Sequence, residues 1–173
     1  MDLYVIRHGI AVDLDSPGLG DDSLRPLSDK GRKKMLLIAA GLLKMGVRFN
    51  LILSSPYARA RETAEILADV LQTEDKPFLS EHLSLLGDLD LLVDEIFEHR
   101  QLESLALVGH EPGLTSLISF LLTGNFSAVI NLKKGAVCCL TMDQANLTKK
   151  AVLDWMLTPS QLAFFGEKTG IGR

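Results

Sequence analysis

The sequence predicts an α/β protein, a single three-layer α/β/α domain built on a mostly parallel central sheet. Three observations predict it. Short apolar runs of strand length alternate with longer segments that carry a helical pattern. The first three runs each stop abruptly at a polar or glycine-containing turn, the punctuation expected at the end of a buried strand. The length, 173 residues, suits one domain large enough to bury a core without staples.

The elements follow in order. The first strand is Leu3-Tyr4-Val5-Ile6, ending at Arg7-His8-Gly9. Residues 11–23 are rich in Asp, Ser, Pro and Gly and read as a loop. Ser28 is the expected N-cap of a helix that runs to about Met45, where Gly46 closes it. The second strand, Leu51-Ile52-Leu53, ends at Ser54-Ser55-Pro56. Ser55 as N-cap and Pro56 as first helical residue would start a helix reaching Leu71. Residues 73–90 read as mixed loop and residues 91–99 as helix. The third strand, Leu105-Ala106-Leu107-Val108, ends at Gly109-His110-Glu111-Pro112. Pro112 then opens a helix through Leu122, with Gly124 after it. Residues 135–142 and 151–157 read as two strands around a turn near residues 143–146. Paired as a hairpin, they would make the sheet mixed. The domain spans residues 1–173, and the Gly-rich tail after Gly166 is expected to be loose.

Composition narrows the function. Hydrophobic residues at 47% and charged residues at 23% are an ordinary globular balance. A net charge of −4 leaves no broad basic surface for nucleic acid, so any anion site must be a local cluster. Met1-Asp2-Leu3-Tyr4-Val5 has neither the basic start nor the cleavage site of a signal peptide. The longest apolar stretch, residues 35–43, is too short to span a bilayer. A cytoplasmic protein with no membrane and no nucleic-acid partner is expected. Cys138 and Cys139 are adjacent, so on a strand they face opposite ways and read as free thiols in a reducing compartment.

The chemistry-bearing residues all follow strands. Arg7 and His8 follow the first, Ser55 and Arg59 the second, His110 the third. In open α/β sheets, ligands bind beyond the carboxyl ends of the strands. Three strand ends therefore deliver two arginines and two histidines to one edge. Helical spacing turns Arg59 inward beside the stripe of Ala60, Thr63, Ala64, Leu67 and Leu71, and turns Arg61 outward with Glu65 and Asp69. The helix after His110 aims its free N–H groups at the same edge. Arginine forks bind phosphoryl oxygens in pairs. A neutral imidazole aimed in line can attack phosphorus, and nearby arginines favour the neutral form. A second histidine can hydrogen-bond the non-bridging oxygens as charge shifts. This set calls for no metal and no cofactor.

These residues resemble a known family. Arg7-His8-Gly9, the segment Ser54-Ser55-Pro56-Tyr57-Ala58-Arg59-Ala60-Arg61-Glu62-Thr63-Ala64, Val108-Gly109-His110-Glu111-Pro112 and Arg25-Pro26-Leu27-Ser28-x-x-Gly31 resemble four elements of the histidine phosphatase (phosphoglycerate mutase-like) superfamily. Leu132-Lys133-Lys134-Gly135 resembles a segment of its SixA-type branch. Arg-His-Gly alone occurs by chance in roughly one chain of this length in a hundred; four elements in the right order are far more specific. The resemblance implies a phosphoglycerate mutase-like fold. It implies His8 as phospho-accepting nucleophile, with Arg7, Arg59 and His110 around the phosphate. Gly9, Arg25 and Ser55 are further phosphate-binding candidates.

The resemblance also raises the question of a proton donor. An alkoxide leaving group needs one, whereas the imidazole of a phosphohistidine leaves readily. Glu81 and Asp88 lie where the resemblance would place an acid, and each also fits plain surface charge. Glu111 holds the position of the acid in a distant branch, and also fits a helix N-terminal charge. The expected partner is a phosphohistidine on a signalling or phosphotransfer protein. A small-molecule phosphomonoesterase is the alternative; a non-enzymatic phospho-ligand module or a mutase fits less well. Lys133-Lys134 reads as a solvated turn, with a role in orienting a protein substrate as the sharper reading.

Overall fold

A computed structural model of the chain describes residues 1–14, 20–143 and 150–167. It contains one six-stranded sheet in the order β3-β2-β4-β1-β5-β6. β1 (Asp2–Arg7), β2 (Leu51–Ser54), β3 (Phe78–Leu79) and β4 (Ser104–Gly109) run parallel. β5 (Val137–Met142) is antiparallel to β1, and β6 (Ala151–Leu157) completes the hairpin. The sheet is therefore mostly parallel with an antiparallel edge, as the two last strands suggested. The turn expected near residues 143–146 lies, apart from Asp143, outside the described residues. So does the tail beyond Glu167.

The apolar runs are continuous because both faces of the sheet are covered. Tyr4 and Ile6 of β1 pack on one side with Met35, Ile38, Leu42 and Leu67 from α1 (Asp29–Lys44) and α2 (Ala58–Leu71). Leu3 and Val5 pack on the other side with Ile96 of α3 (Leu89–Glu98) and Leu114, Leu117 and Leu121 of α4 (Gly113–Thr123). The alternation of β1 between two cores is the strand period of two read in space.

Several elements differ from the sequence reading. α5 (Pro159–Glu167) was not anticipated. It lies tightly on α1: a Cβ on Gly41 would come within 2.2 Å of the Leu162 carbonyl oxygen, and one on Gly166 within 2.0 Å of that of Leu37. Only glycine permits that approach of two helices. β3 falls inside the stretch read as loop; it has two exposed residues, too few to carry a period. α2 begins at Ala58 with Tyr57 as its cap and no side-chain cap bond, so Ser55 and Pro56 precede the helix. α3 begins at Leu89, where Asp88 accepts hydrogen bonds from the Asp90 and Leu91 amides at 2.9 and 3.1 Å. Pro112 caps α4 instead of opening it. Among the described residues, no helix is long and apolar enough to cross a membrane.

Candidate active site

The carboxyl ends of β1, β2 and β4 converge, and the loops after them close a cavity of about 380 Å³ lined by Arg7, His8, Asp22, Arg25, Arg59, Leu85, His110, Glu111 and Lys134. Four cations face two carboxylates there, a local positive field in an acidic protein. Two larger surface hollows, beside α2 and β3 (about 470 Å³) and between α1 and α5 (about 640 Å³), gather no comparable set of donors around a histidine.

His8 sits at the centre and is 5% exposed. Its Nδ1 is 2.7 Å from the Gly9 carbonyl oxygen. A carbonyl only accepts, so Nδ1 carries the proton and Nε2 keeps its lone pair. The Nε–H of Arg59 donates to that same Nε2 at 3.3 Å, which requires the same tautomer. Burial pulls the His8 pKa down to about 3, and His110, Arg59 and Arg7 push the same way; the Gly9 carbonyl opposes them. Burial, more than the arginines, keeps this imidazole neutral, which revises the cause inferred from the sequence.

Gly9 is not among the residues lining the cavity. Its N–H donates to Thr63 Oγ1 at 3.0 Å, and its carbonyl holds His8. Thr63 Oγ1 in turn donates to the Arg59 carbonyl at 2.6 Å. This hydroxyl ties the β1 loop to the first turn of α2 and fixes His8 against Arg59. The sequence reading placed Thr63 in the apolar stripe. The signal it carried was a hydroxyl one helical turn after Arg59, on the same face.

Arg59 is 2% exposed, as the inward face of α2 requires, whereas Arg61 is exposed beside Glu65 at 3.8 Å. Beyond His8, Arg59 Nη1 donates to the Asp22 carbonyl at 2.7 Å and Nη2 to Asp22 Oδ2 at 2.9 Å. Arg25 Nε stands 2.8 Å from Asp22 Oδ1 as an ion pair without the alignment of a hydrogen bond, and Nη1 donates to the Val12 carbonyl at 3.0 Å. Burial raises the Asp22 pKa, but the hydrogen bond from Arg59 and the charges of Arg59 and Arg25 outweigh it and hold the carboxyl below its ordinary value. Asp22 was missed in the sequence, where it lay in an Asp-rich loop. Its clue was opposite charge three residues before Arg25.

Arg25 reaches the site because its chain turns sharply past β1. Ser28 Oγ accepts from the Gly31 amide at 3.1 Å and donates to the Ile10 carbonyl at 3.1 Å. A Cβ on Gly31 would stand 1.9 Å from that carbonyl oxygen, so the glycine of the Arg25-Pro26-Leu27-Ser28-x-x-Gly31 segment is a packing requirement. On the other side, the Gly135 amide donates to the Arg7 carbonyl at 2.9 Å, which brings the Lys133-Lys134 turn against β1 and Lys134 into the cavity wall. Arg7 Nη1 is anchored on the Leu132 carbonyl at 2.9 Å; its buried Nε has no protein partner among the described residues.

His110, 3% exposed, lies beside His8 with ring centroids 4.9 Å apart. Its Nε2 bonds Ser55 Oγ at 2.9 Å, and its buried Nδ1 has no protein partner among the described residues. Burial, then the charge of Arg59, lowers its pKa to about 4, while Asp22 pulls the other way. Ser55 is fully buried and is not among the residues lining the cavity; its hydroxyl bonds the His110 ring. Of the three acids considered, Glu81 and Asp88 do not line the cavity. Glu81 is exposed at the head of a short 3-10 turn, and Asp88 caps α3. Glu111 does line it. Its Oε2 accepts from Thr115 Oγ1 at 2.7 Å, and its Oε1 has no partner among the described residues.

This arrangement provides a neutral imidazole whose Nε2 lone pair is held by Arg59, guanidinium donors on two sides and a second imidazole. Those are the requirements of attack on a tetrahedral oxyanion centre. The comparisons agree with that chemistry. A family model described as histidine phosphatase superfamily (branch 1) matches residues 3–84. An uncharacterised protein of Picosynechococcus sp. is 36% identical over 149 residues, covering 85% of this chain and 88% of the relative. Phosphohistidine phosphatase SixA of Escherichia coli is 26% identical over 164 residues, covering 94% and 96%. A solved structure of the protein histidine phosphatase SixA complexed with tungstate superposes with a TM-score of 0.82 at 26% identity, covering 94% of this chain and 99% of the other. The fold is the phosphoglycerate mutase-like fold of SixA, and the chain belongs to the histidine phosphatase superfamily as a SixA-like phosphatase.

Proposed function

We propose that this phosphatase removes phosphoryl groups from histidine on a protein, through a covalent phosphohistidine formed on His8. The observation that carries the proposal is the His8 tautomer, in a residue that lines the cavity: Nδ1–H is fixed on Gly9 and the Nε2 lone pair is held toward Arg59. Nε2 attacks phosphorus in line, and the leaving nitrogen keeps the electron pair of the broken P–N bond. The phosphorylated His8 ring is cationic, and its Nδ1–H still donates to the Gly9 carbonyl. Arg59 and Arg7 bind non-bridging oxygens, with Arg25 and Lys134 adding charge at the rim. His110 offers Nδ1, the ring nitrogen without a partner among the described residues. Water then attacks phosphorus, and one of its protons leaves with inorganic phosphate. The four cations supply the charge that a metal would otherwise bring, so turnover is expected to persist in chelator.

The likeness to Phosphohistidine phosphatase SixA supports a phosphohistidine substrate. So does exposed Leu85, at 41%, in the cavity lining, followed in the chain by Leu86 at 95%, apolar surface for a protein partner next to a charged hollow. Such a substrate accords with a cytoplasmic, single-domain enzyme. A phosphomonoesterase is the second reading. It is favoured by Glu111, which follows His110 in the chain and lines the cavity with it; its buried Oε1, without a partner among the described residues, would protonate the ester oxygen.

The test is turnover of a phosphohistidine protein, a free phosphoramidate and an aryl phosphate by wild type and His8→Ala. Activity on the first two that falls by more than about 10³-fold in the variant is expected, given the cost of deleting a nucleophile. Faster hydrolysis of the ester, lost in Glu111→Gln, would favour the second reading. Turnover unchanged in His8→Ala would remove His8 as nucleophile.

A further inference from the structure

A carboxylate inside a phosphate pocket requires explanation. Asp22 sits against Arg59 and Arg25, where it repels the phosphoryl dianion and competes for its donors. A plain phosphate receptor gains nothing from that. The position of Asp22 indicates what it gains here. Arg59 touches His8 through Nε, at the buried end of its guanidinium, and touches Asp22 through Nη1 and Nη2 at the other end. The Asp22 side chain is 34% exposed, against 3% for that of Arg59. The carboxylate therefore stands on the mouth side of the guanidinium, the side from which a substrate enters and a leaving group departs. The pairing with Arg25 keeps it there if phosphoryl oxygens take Arg59 Nη2.

We propose that Asp22 is a specificity residue that accepts a hydrogen bond from the protonated imidazole of the substrate phosphohistidine. The inference rests on the phosphohistidine reading of this site. Its chemistry balances. The substrate ring carries phosphorus on one nitrogen and a proton on the other, a cation. His8 Nε2 forms the new bond to phosphorus as the old P–N bond breaks. The electron pair returns to the leaving nitrogen, the distal N–H stays in place, and neutral imidazole departs. Asp22 does for the leaving ring what the Gly9 carbonyl does for His8: both hold an N–H on a ring that is cationic while it carries phosphorus. Donor and acceptor are the same heterocycle, so each end of the transfer needs its own acceptor. The carboxylate favours the cationic substrate over a neutral or anionic leaving group. Its depressed pKa makes it a poor proton donor to an alkoxide, which separates it from the role considered for Glu111.

The charges facing Asp22 are Arg59 from α2 and Arg25 beside it. Across the cavity are Arg7 and His8 after β1, His110 and Glu111 after β4, and Lys134 before β5. The experiment compares wild type, Asp22→Asn and Asp22→Glu on phosphoimidazole and on an aryl phosphate whose phenolate needs no proton, across pH 5–9. Asp22→Asn is expected to lose about ten- to hundredfold in kcat/KM on phosphoimidazole, the worth of one hydrogen bond to a charged group. Its alkaline limb should move to lower pH. The ratio of kcat/KM on phosphoimidazole to that on the aryl ester should fall by the same factor, and Asp22→Glu should recover part of that ratio. Equal loss on both substrates would overturn the proposal, leaving Asp22 as a brace for Arg59. Equal gain on both would overturn it too, leaving Asp22 as a plug. His8→Ala separates the levels: phosphoimidazole turnover surviving in that variant overturns the reading beneath, whatever Asp22 does.

Discussion

The molecule buries two pairs of potential nucleophiles, and burial treats them oppositely. His8 and His110 lie beyond the carboxyl ends of the parallel strands, at 5% and 3% exposure. Cys138 and Cys139 lie within β5, on the antiparallel side of the sheet, at 0% and 2%. Removing water penalises the charged form in every case. For an imidazole the charged form is the unreactive one, so burial leaves the attacking lone pair in place. For a thiol the charged form is the reactive one, and burial pushes both cysteines up to about 12. The more nucleophilic element is thus silenced in the core, and the weaker one is prepared at the strand ends. What distinguishes the two regions is a carbonyl that fixes the tautomer and arginines that gather the electrophile.

The sharpest way to break the comparison is to keep the buried imidazole and remove the gathering. Arg59→Ala leaves His8 bonded to Gly9 but takes away the guanidinium that spans His8 and Asp22. Loss of one preorganised charged donor is expected to lower kcat by about 10²- to 10³-fold. Arg59→Lys should recover little, because a point charge lacks the fork that holds two oxygens. Steady-state kinetics on an aryl phosphate checks both. A loss below tenfold would mean that burial of His8 matters more than the charge around it.

Much of this site was legible because strand ends are punctuated. Arg7-His8-Gly9, Ser55 through Arg59 and His110-Glu111 each follow an apolar run, and the sheet rule brings such ends together. Arg59 inward and Arg61 outward followed from helical period alone. The parts that were not legible depend on contacts across the chain. Asp22 gains its role only when a loop of no period folds over α2. Thr63 reads as one more small residue in a stripe until the Gly9 amide meets it. Gly9 and Ser55, phosphate-binding candidates by their neighbours in sequence, each bond a histidine and do not line the cavity, a contact their sequence positions do not announce. The helix α5 was invisible because its packing on α1 is set by two glycines, which a propensity reading counts against a helix. β3, with two exposed residues, owes its place to pairing with β2.

A second test sharpens the comparison through pH. His8 and His110 fall from an ordinary 6.5 to about 3 and about 4. Between those values the unfolded chain binds protons that the folded one refuses, so stability rises with pH there. The contribution is full above about 6.5 and is lost as pH falls toward 3. The urea midpoint is therefore expected to decline steadily from pH 7 to pH 4, and the decline should be shallower in His8→Ala. The thiols, protonated in both states over this range, add nothing to it. A midpoint flat from pH 7 to pH 4 would show that the two imidazoles take up protons in the folded protein.

The smallest effect is expected at the thiols themselves. Cys138 faces the core that contains Leu3, Val5 and Leu140, and Cys139 faces the opposite core beside Tyr4, so neither side chain points toward the cavity. Cys138→Ala and Cys139→Ala should each leave kcat/KM within about twofold, with a stability cost of about 1 kcal/mol from the lost sulfur contacts. Alkylation of the wild type by iodoacetamide should be slow at neutral pH and should accelerate with urea in step with unfolding, because a thiolate forms only when the strand opens. Rapid alkylation of the native protein, with loss of turnover, would place a reactive thiol where the sheet now holds an inert one. It would mean that β5 opens under native conditions, and that burial separates the two pairs less completely than their positions in the fold require.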